Sequence, residues 1–316
     1  MNGGAVADPK IAFVFPGQGS QYVGMGQELC RQFGLAKDVF AEAEDALGFA
    51  LSELCFNGPE AELKLTENTQ PAILTASIAA FRVLQSETEF RPALVAGHSL
   101  GEYSALVAVG ALGFADAVKV VRERGRLMQE AVAAGSGAMA VLLGLTAEEV
   151  SAICADAGQG EVVAPANYNG GGQIVIAGTK DAVGRAATLA RERGAKRVLD
   201  LPVSAPFHCQ LMRPAAEGLK QVLSGVAVRP FTTAVVTNVE AAPNLDAGRV
   251  KPLLIEQAVQ PVRWEESVLQ MVRLGCSRIV EVGPGKVLRG LIKRIVPALA
   301  TENFEAPADL ARLVAA

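Results

Sequence analysis

Val95-Ala96-Gly97-His98-Ser99-Leu100-Gly101-Glu102 is the stretch that decides the fold. Gly97, Ser99 and Gly101 spell G-x-S-x-G. An apolar run from Ala93 to Ala96 leads in, and a helix-like run from Tyr103 to Leu112 leads out. Strand, sharp turn and helix is the setting that holds a nucleophilic serine at the tip of an elbow. The glycines let the two backbones close up where a Cβ would clash. The serine then lies near a helix N-terminus, whose free N–H groups can stabilise an oxyanion. A Gly-rich turn with a solvated serine gives the same letters, so the motif needs partners elsewhere in the chain.

The chain of 316 residues is long enough for one large domain or two. Half of it is apolar and a fifth is charged, which favours a sizeable core over disorder. A net charge of −4 argues against nucleic-acid binding, which favours basic stripes. No apolar run reaches the roughly 18 residues of a membrane span, and Met1 to Lys10 has no apolar signal-peptide core. The five cysteines are scattered, odd in number and form no C-x-x-C. They read as reduced thiols of a cytoplasmic protein without a metal site.

Outward from the elbow, Lys10 to Phe15 reads as a buried first strand, running into Pro16-Gly17-Gln18-Gly19. Helical periodicity covers Tyr22 to Leu47, short helical pieces cover Ser52 to Leu65, and Thr69-Gln70-Pro71 opens a helix to about Gln85. Another helix spans Ala115 to Val132. After Gly135-Ser136-Gly137 come a strand (138–143), a helix (146–157) with Thr146 and Glu149 as a capping box, two strands (162–169 and 173–177), a helix (179–194) and a strand (196–201). The order β-α-β-β-α-β predicts a ferredoxin-like insertion. The alternative is that these strands extend the main sheet. The expected class is therefore α/β, with an α/β-hydrolase-like core from 1–134 and 203–316 and a small inserted domain at 135–202. The second core segment predicts helices at 214–223, 253–258, 264–274 and 287–295, and strands at 234–238 and 278–282. From Pro297 on, the chain reads as a tail with some helix.

The chemistry narrows quickly. A serine nucleophile needs a base, and there are two histidines. His98 adjoins Ser99 on the same turn, where consecutive side chains diverge, so its expected role is to support the turn or line the pocket. That leaves His208, in Ala205-Pro206-Phe207-His208-Cys209. No clear acid completes a triad; Asp200 lies on an insertion strand, so a dyad with a backbone carbonyl on the imidazole is expected. Cys209 reads as a small buried thiol. Gln18, in its glycine turn after the first strand, is a supplier of the second oxyanion N–H beside Leu100, or else part of an ordinary turn. On the 115–132 helix Arg124 falls on the apolar stripe with Val121, Gly125 and Met128. It is either a snorkelling side chain or a buried guanidinium awaiting a carboxylate.

At this point the chain resembles the malonyl-CoA:acyl carrier protein transacylases of fatty-acid synthesis and the acyltransferase domains of fatty-acid and polyketide synthases. The resemblance rests on an ordered set of stretches from residue 11 to about 295. They include Phe15-Pro16-Gly17-Gln18-Gly19-Ser20-Gln21, Gly97-His98-Ser99-Leu100-Gly101-Glu102, Arg124-Gly125, Asn167-Tyr168-Asn169, Pro206-Phe207-His208, Glu256-Gln257 and Glu281-Val282-Gly283-Pro284-Gly285. It implies that Ser99 is acylated with His208 as base and acid, in a ping-pong transfer of malonyl from malonyl-CoA to a carrier thiol. It implies an oxyanion hole from the N–H groups of Gln18 and Leu100, a carboxylate on Arg124, the Gln257 carbonyl on His208, and Asn167 near the cleft. No cofactor beyond the substrates is implied, and the expected form is monomeric. Phe207 resembles malonyl-selective synthase domains and fits a pocket with little room for an α-methyl branch. Lys286, Arg289, Lys293 and Arg294 cluster on one predicted helix and its lead-in, and offer a basic face to an acidic carrier. The rival readings are a polyketide supply role, a serine thioesterase or esterase on the same elbow, and a silent acyl-binding module.

Overall fold

Ten strands form two separate sheets in the computed structural model, which describes residues 10–203 and 205–315. In chain order they are β1 (Lys10–Phe15), β2 (Leu94–Gly97), β3 (Gly137–Leu143), β4 (Val163–Gly170), β5 (Gln173–Thr179), β6 (Arg197–Asp200), β7 (Ala234–Val236), β8 (Pro243–Asn244), β9 (Cys276–Val282) and β10 (Ala300–Phe304). The six-stranded sheet has the order β10-β9-β1-β2-β7-β8. Every pairing in it is parallel except β7 with β8. A parallel sheet is covered on both faces, and β1 shows how. Phe13 and Phe15 enter one core with the Thr66–Glu87 helix, while Ala12 and Val14 enter another with Trp264 and Ile292. The unbroken apolar run I-A-F-V-F after Lys10 is the sequence signature of that double burial.

The second sheet is antiparallel, in the order β4-β5-β3-β6, which is the ferredoxin-like arrangement. It stands apart from the main sheet, so the alternative of one extended sheet is wrong. Its outer face, with Ala140, Leu142, Ile174 and Ile176, is covered by the Ala147–Gly158 and Lys180–Glu192 helices. The first of these begins at a complete capping box, Thr146 with Glu149. Its inner face, with Met139, Val141 and Val175, packs on Met128, Phe207 and Met212. The small sheet is thereby a wall facing the elbow.

Several predicted boundaries shift. The run from Tyr22 to Leu47 is two helices, Gln27–Gln32 and Gly34–Leu47, because Phe33 between them is extended (φ −120°, ψ 122°). The next long helix starts at Thr66 rather than Thr69, which leaves Pro71 inside it. Its N-cap, Leu65, makes no side-chain capping bond and so gives no signal in the sequence. The helix predicted at 253–258 begins at Ala247, capped by Asp246. The tail is more than helix: Ala300–Phe304 is the edge strand β10, paired along β9. Its pattern is masked because Thr301 and Asn303 are buried polar residues, and Glu302 is paired at 2.7 Å with Arg278 across the strand boundary. Arg278 also donates to the Leu313 carbonyl at 2.6 Å and ties down the last helix.

Phe304 is fully buried at the end of that strand. Phe304→Ala is expected to cost about 3 kcal/mol or more, read as a lower midpoint in urea denaturation. An unchanged midpoint would mean that the last strand carries no share of the core.

Candidate active site

The elbow forms because three backbones meet at it. A Cβ on Gly97 would overlap the Gly101 carbonyl, and one on Gly101 would overlap the Phe15 carbonyl. Only glycine lets β2 turn into the Gly101–Ala108 helix against the end of β1. Ser99 sits at the tip with φ +52°, a conformation costly for a side-chain-bearing residue and held in place by its neighbours. Asn238, just past β7, supplies that hold. Its Oδ1 accepts from Ser99 N at 2.7 Å and its Nδ2 donates to Gly97 O at 2.6 Å.

His208 comes to the serine from the segment that re-enters the main domain. Its Nε2 lies 2.7 Å from Ser99 Oγ and its Nδ1 lies 2.8 Å from the Gln257 carbonyl. A carbonyl only accepts, so Nδ1 carries the proton and Nε2 is the acceptor for the serine hydroxyl. His208 also has a left-handed backbone (φ +61°). Both members of the pair are thus held in strained conformations. Burial, and then the nearby Arg124 charge, push the imidazole down to about 3, so it is neutral at physiological pH.

Arg124 is buried, 2% exposed, and the snorkelling alternative falls. Its Nη1 donates to Gln70 Oε1 at 2.8 Å; its Nη2 donates to Gln257 Oε1 at 3.0 Å and to Ser99 Oγ at 3.1 Å. Nε has no partner among the described residues. The guanidinium lies over the Tyr103 ring, 5.4 Å from its centre. None of its hydrogen bonds goes to a carboxylate. The amide of Gln257 is oriented by its own Nε2, which donates to Glu102 Oε2 at 2.7 Å and to the Ser99 carbonyl at 3.1 Å. Glu102 also accepts from Asn238 N at 3.1 Å, and burial pushes its carboxyl up to about 7.

Ser99, His208, Arg124 and Gln70 line a cleft between the elbow and the small sheet. Gln18, Leu100, His98, Asn167 and Phe207 line it as well. The backbone amides of Gln18 and Leu100 have no acceptor among the described residues. The Gln18 side chain is tied back to Thr66 Oγ1 at 3.3 Å. His98 turns away from Ser99 to meet Asn169 Oδ1 at 2.9 Å and lies beside the Trp264 ring. All the predicted site residues therefore converge. The basic helix is more divided. Arg289 donates to the Thr301 carbonyl and to Asn303, Lys286 lies 3.5 Å from Glu305, and Lys293 and Arg294 are exposed. No group of three or more metal-ligating side chains occurs among the described residues, and no helix is long and apolar enough to cross a membrane.

Residues 12–303 match the family model for the acyl transferase domain. The chain is 47% identical over 302 residues to the malonyl CoA-acyl carrier protein transacylase of Escherichia coli K12, covering 96% of this chain and 98% of that protein. The chain belongs to the malonyl CoA-acyl carrier protein transacylase family. Solved structures agree with this transacylase assignment. An acyl carrier protein S-malonyltransferase from Vibrio cholerae superposes with a TM-score of 0.94 at 50% identity, over 96% of this chain and 99% of that one. A malonyl-transacylase solved with a type II PKS acyl-carrier protein gives 0.93 at 46% identity, over 96% and 98%.

Three residues of this transacylase site escaped the sequence reading: Gln70, Glu102 and Asn238. The signal for Glu102 is present, since it sits three residues past the nucleophile and is the one charged residue of its helix. Asn238 could be found only by knowing that β7 lies beside β2. Asn238→Ala removes the partner of the half-buried Ser99 N–H and of the buried Gly97 carbonyl, and is expected to cost about 2 kcal/mol. Chemical denaturation measures this; full stability in the variant would show that the elbow holds without its staple.

Proposed function

We propose that this chain transfers a malonyl group from malonyl-CoA to the phosphopantetheine thiol of acyl carrier protein, supplying extension units for fatty-acid synthesis. One observation carries the choice of acyl group: a buried arginine beside the nucleophile, hydrogen-bonded only to neutral acceptors. Such a cation is satisfied best by a carboxylate brought in with the substrate. An acyl chain without one leaves it unpaired.

Ser99 is the nucleophile and His208 its base. As Oγ attacks the thioester carbon, its proton passes to Nε2, and the oxygen of the tetrahedral intermediate lies between the N–H groups of Gln18 and Leu100. The C–S bond breaks and the CoA thiol leaves with the proton from His208. The carrier thiol then gives its proton to His208 and attacks the malonyl-serine, and as the ester C–O bond breaks His208 returns that proton to Ser99 Oγ. Arg124 pairs with the malonyl carboxylate throughout. The Gln257 carbonyl orients the imidazole, Asn167 and His98 line the cleft, and Phe207 leaves little room for an α-methyl branch. The catalytic domain is assigned to 1–134 and 203–316, of which residues 1–9, 204 and 316 lie outside the described residues, and the small domain to 135–202. The enzyme works as a cytoplasmic monomer, and the carrier meets it at a basic face that includes Lys293 and Arg294.

A polyketide carrier is a second reading, favoured by the similar structure solved with a type II PKS acyl-carrier protein. Transfer rates to the two kinds of carrier separate the readings. Free malonate as the main product would indicate a thioesterase instead.

Ser99→Ala is expected to abolish the malonyl adduct seen by intact mass after mixing with malonyl-CoA. An adduct at full level would overturn the nucleophile assignment. The pH dependence follows from His208. Its neutral form is the base, and that form is lost only as pH falls toward about 3. The kcat/KM for adduct formation is therefore expected to show no imidazole limb near the usual value of about 6.5. Glu102 titrates near 7, so the profile is measured in Glu102→Gln as well. A limb near the imidazole value that persists there would refute the reading of a depressed base.

A further inference from the structure

The Arg124 guanidinium is already bonded to the nucleophile. Nη2 has two hydrogens, and both are in use, one on Ser99 Oγ at 3.1 Å and one on Gln257 Oε1 at 3.0 Å. A carboxylate pairs with a guanidinium through two donors on one edge, either Nη1 with Nη2 or Nε with Nη2. Nη2 belongs to both edges. A bidentate carboxylate must therefore displace one of its present acceptors.

The two acceptors are not equally free to leave. Gln257 is fixed: its Nε2 donates to the buried Glu102 Oε2 and to the Ser99 carbonyl, both acceptors on the elbow. Swinging its Oε1 away from Arg124 would break these bonds too. Ser99 Oγ keeps His208 as a partner when Arg124 lets go. The bond that yields is the one to the serine.

We propose that the substrate carboxylate switches Ser99 on, by drawing Arg124 off the serine hydroxyl. This rests on the malonyl-transfer reading and adds a second job for the carboxylate. At rest, a cationic donor sits on one of the two Oγ lone pairs and draws electron density from the nucleophile. When the carboxylate pairs with Arg124, that lone pair is released. Burial depresses His208 most and the Arg124 charge adds to it; the same pairing neutralises that second contribution, so the base strengthens as the nucleophile is freed. Glu102 acts here as a positioning residue, because it keeps the Gln257 amide in place while the serine bond breaks. Selection for a carboxylated acyl group then appears in the rate of acylation as well as in binding.

The test separates the carboxylate from the acyl group. Acetyl-CoA with free formate supplies the pieces of a malonyl group without the bond between them. Rapid-quench intact mass follows acetyl-Ser99 formation at saturating acetyl-CoA, with formate raised through the range in which it competes with malonyl-CoA. Removing a hydrogen bond from a charged donor is expected to raise the acetylation rate constant by roughly tenfold, with saturation in formate. Arg124→Ala abolishes the formate effect. Without formate, acetylation at saturation is slower than malonylation, a difference in rate constant and not only in half-saturation. A flat or falling acetylation rate across the formate range overturns the switch. Equal saturating rate constants for the two acyl groups overturn it too. If malonyl-CoA gives an adduct while formate does nothing, the switch fails and the malonyl reading stands. If malonyl-CoA gives no adduct at all, both fail.

Discussion

A guanidinium buried with no carboxylate among its hydrogen-bond partners is the constraint around which the site is built. Taking Arg124 out of water is costly, and neutral amides recover only part of the lost solvation. The chain accepts that cost at one place and surrounds it with fixtures: Gln70 from one helix, Gln257 from another, the Tyr103 ring beneath. Each of these side chains is itself buried. Moving any of them would leave the charge more exposed to its own desolvation. The result is a rigid positive site with room for a ligand charge, which a flexible surface arginine could not provide.

The nucleophile depends on the same fixtures. The elbow backbone is strained at Ser99 and stapled by Asn238, and the Gln257 amide bonds to the Ser99 carbonyl. Binding and bond-making groups are therefore one network and not two adjoining ones. The sheet makes this feasible. β2 delivers the elbow, its neighbour β7 delivers Asn238, and its other neighbour β1 delivers the Gln18 loop. Parallel strands bring their C-terminal ends to one side, and the site occupies that edge.

Most of this was legible in the sequence where backbone geometry is spelled by residue type. The glycines of the elbow, the capping box at Thr146 and the apolar run of β1 each have a local physical cause, and the first strand stands where the pattern puts it, although the helix after the elbow spans Gly101–Ala108 rather than Tyr103 to Leu112. Arg124 was visible because a charge interrupted an apolar stripe. What stayed hidden depends on distant partners. β10 carries three consecutive polar residues, and two of them find their side-chain partners on other elements: Glu302 on Arg278, and Asn303 on Arg289 and Arg312. Gln70 and Asn238 are polar residues whose acceptors and donors lie tens of residues away, so no spacing rule announces them. The helix start at Thr66 lacked a capping side chain and was read one turn late.

The partner of His208 has one more property. Gln257 is the last residue of the Ala247–Gln257 helix. Its carbonyl is one of those a helix end leaves without an internal partner, and it carries the negative end of the helix dipole. The imidazole is thus oriented by a main-chain atom that every amino acid possesses. A substitution at position 257 can remove the amide that serves Arg124 but not the carbonyl that serves His208. Mutation can therefore alter acyl recognition at this residue while the tautomer of the base is preserved. Loss of the tautomer would require unwinding the helix end itself.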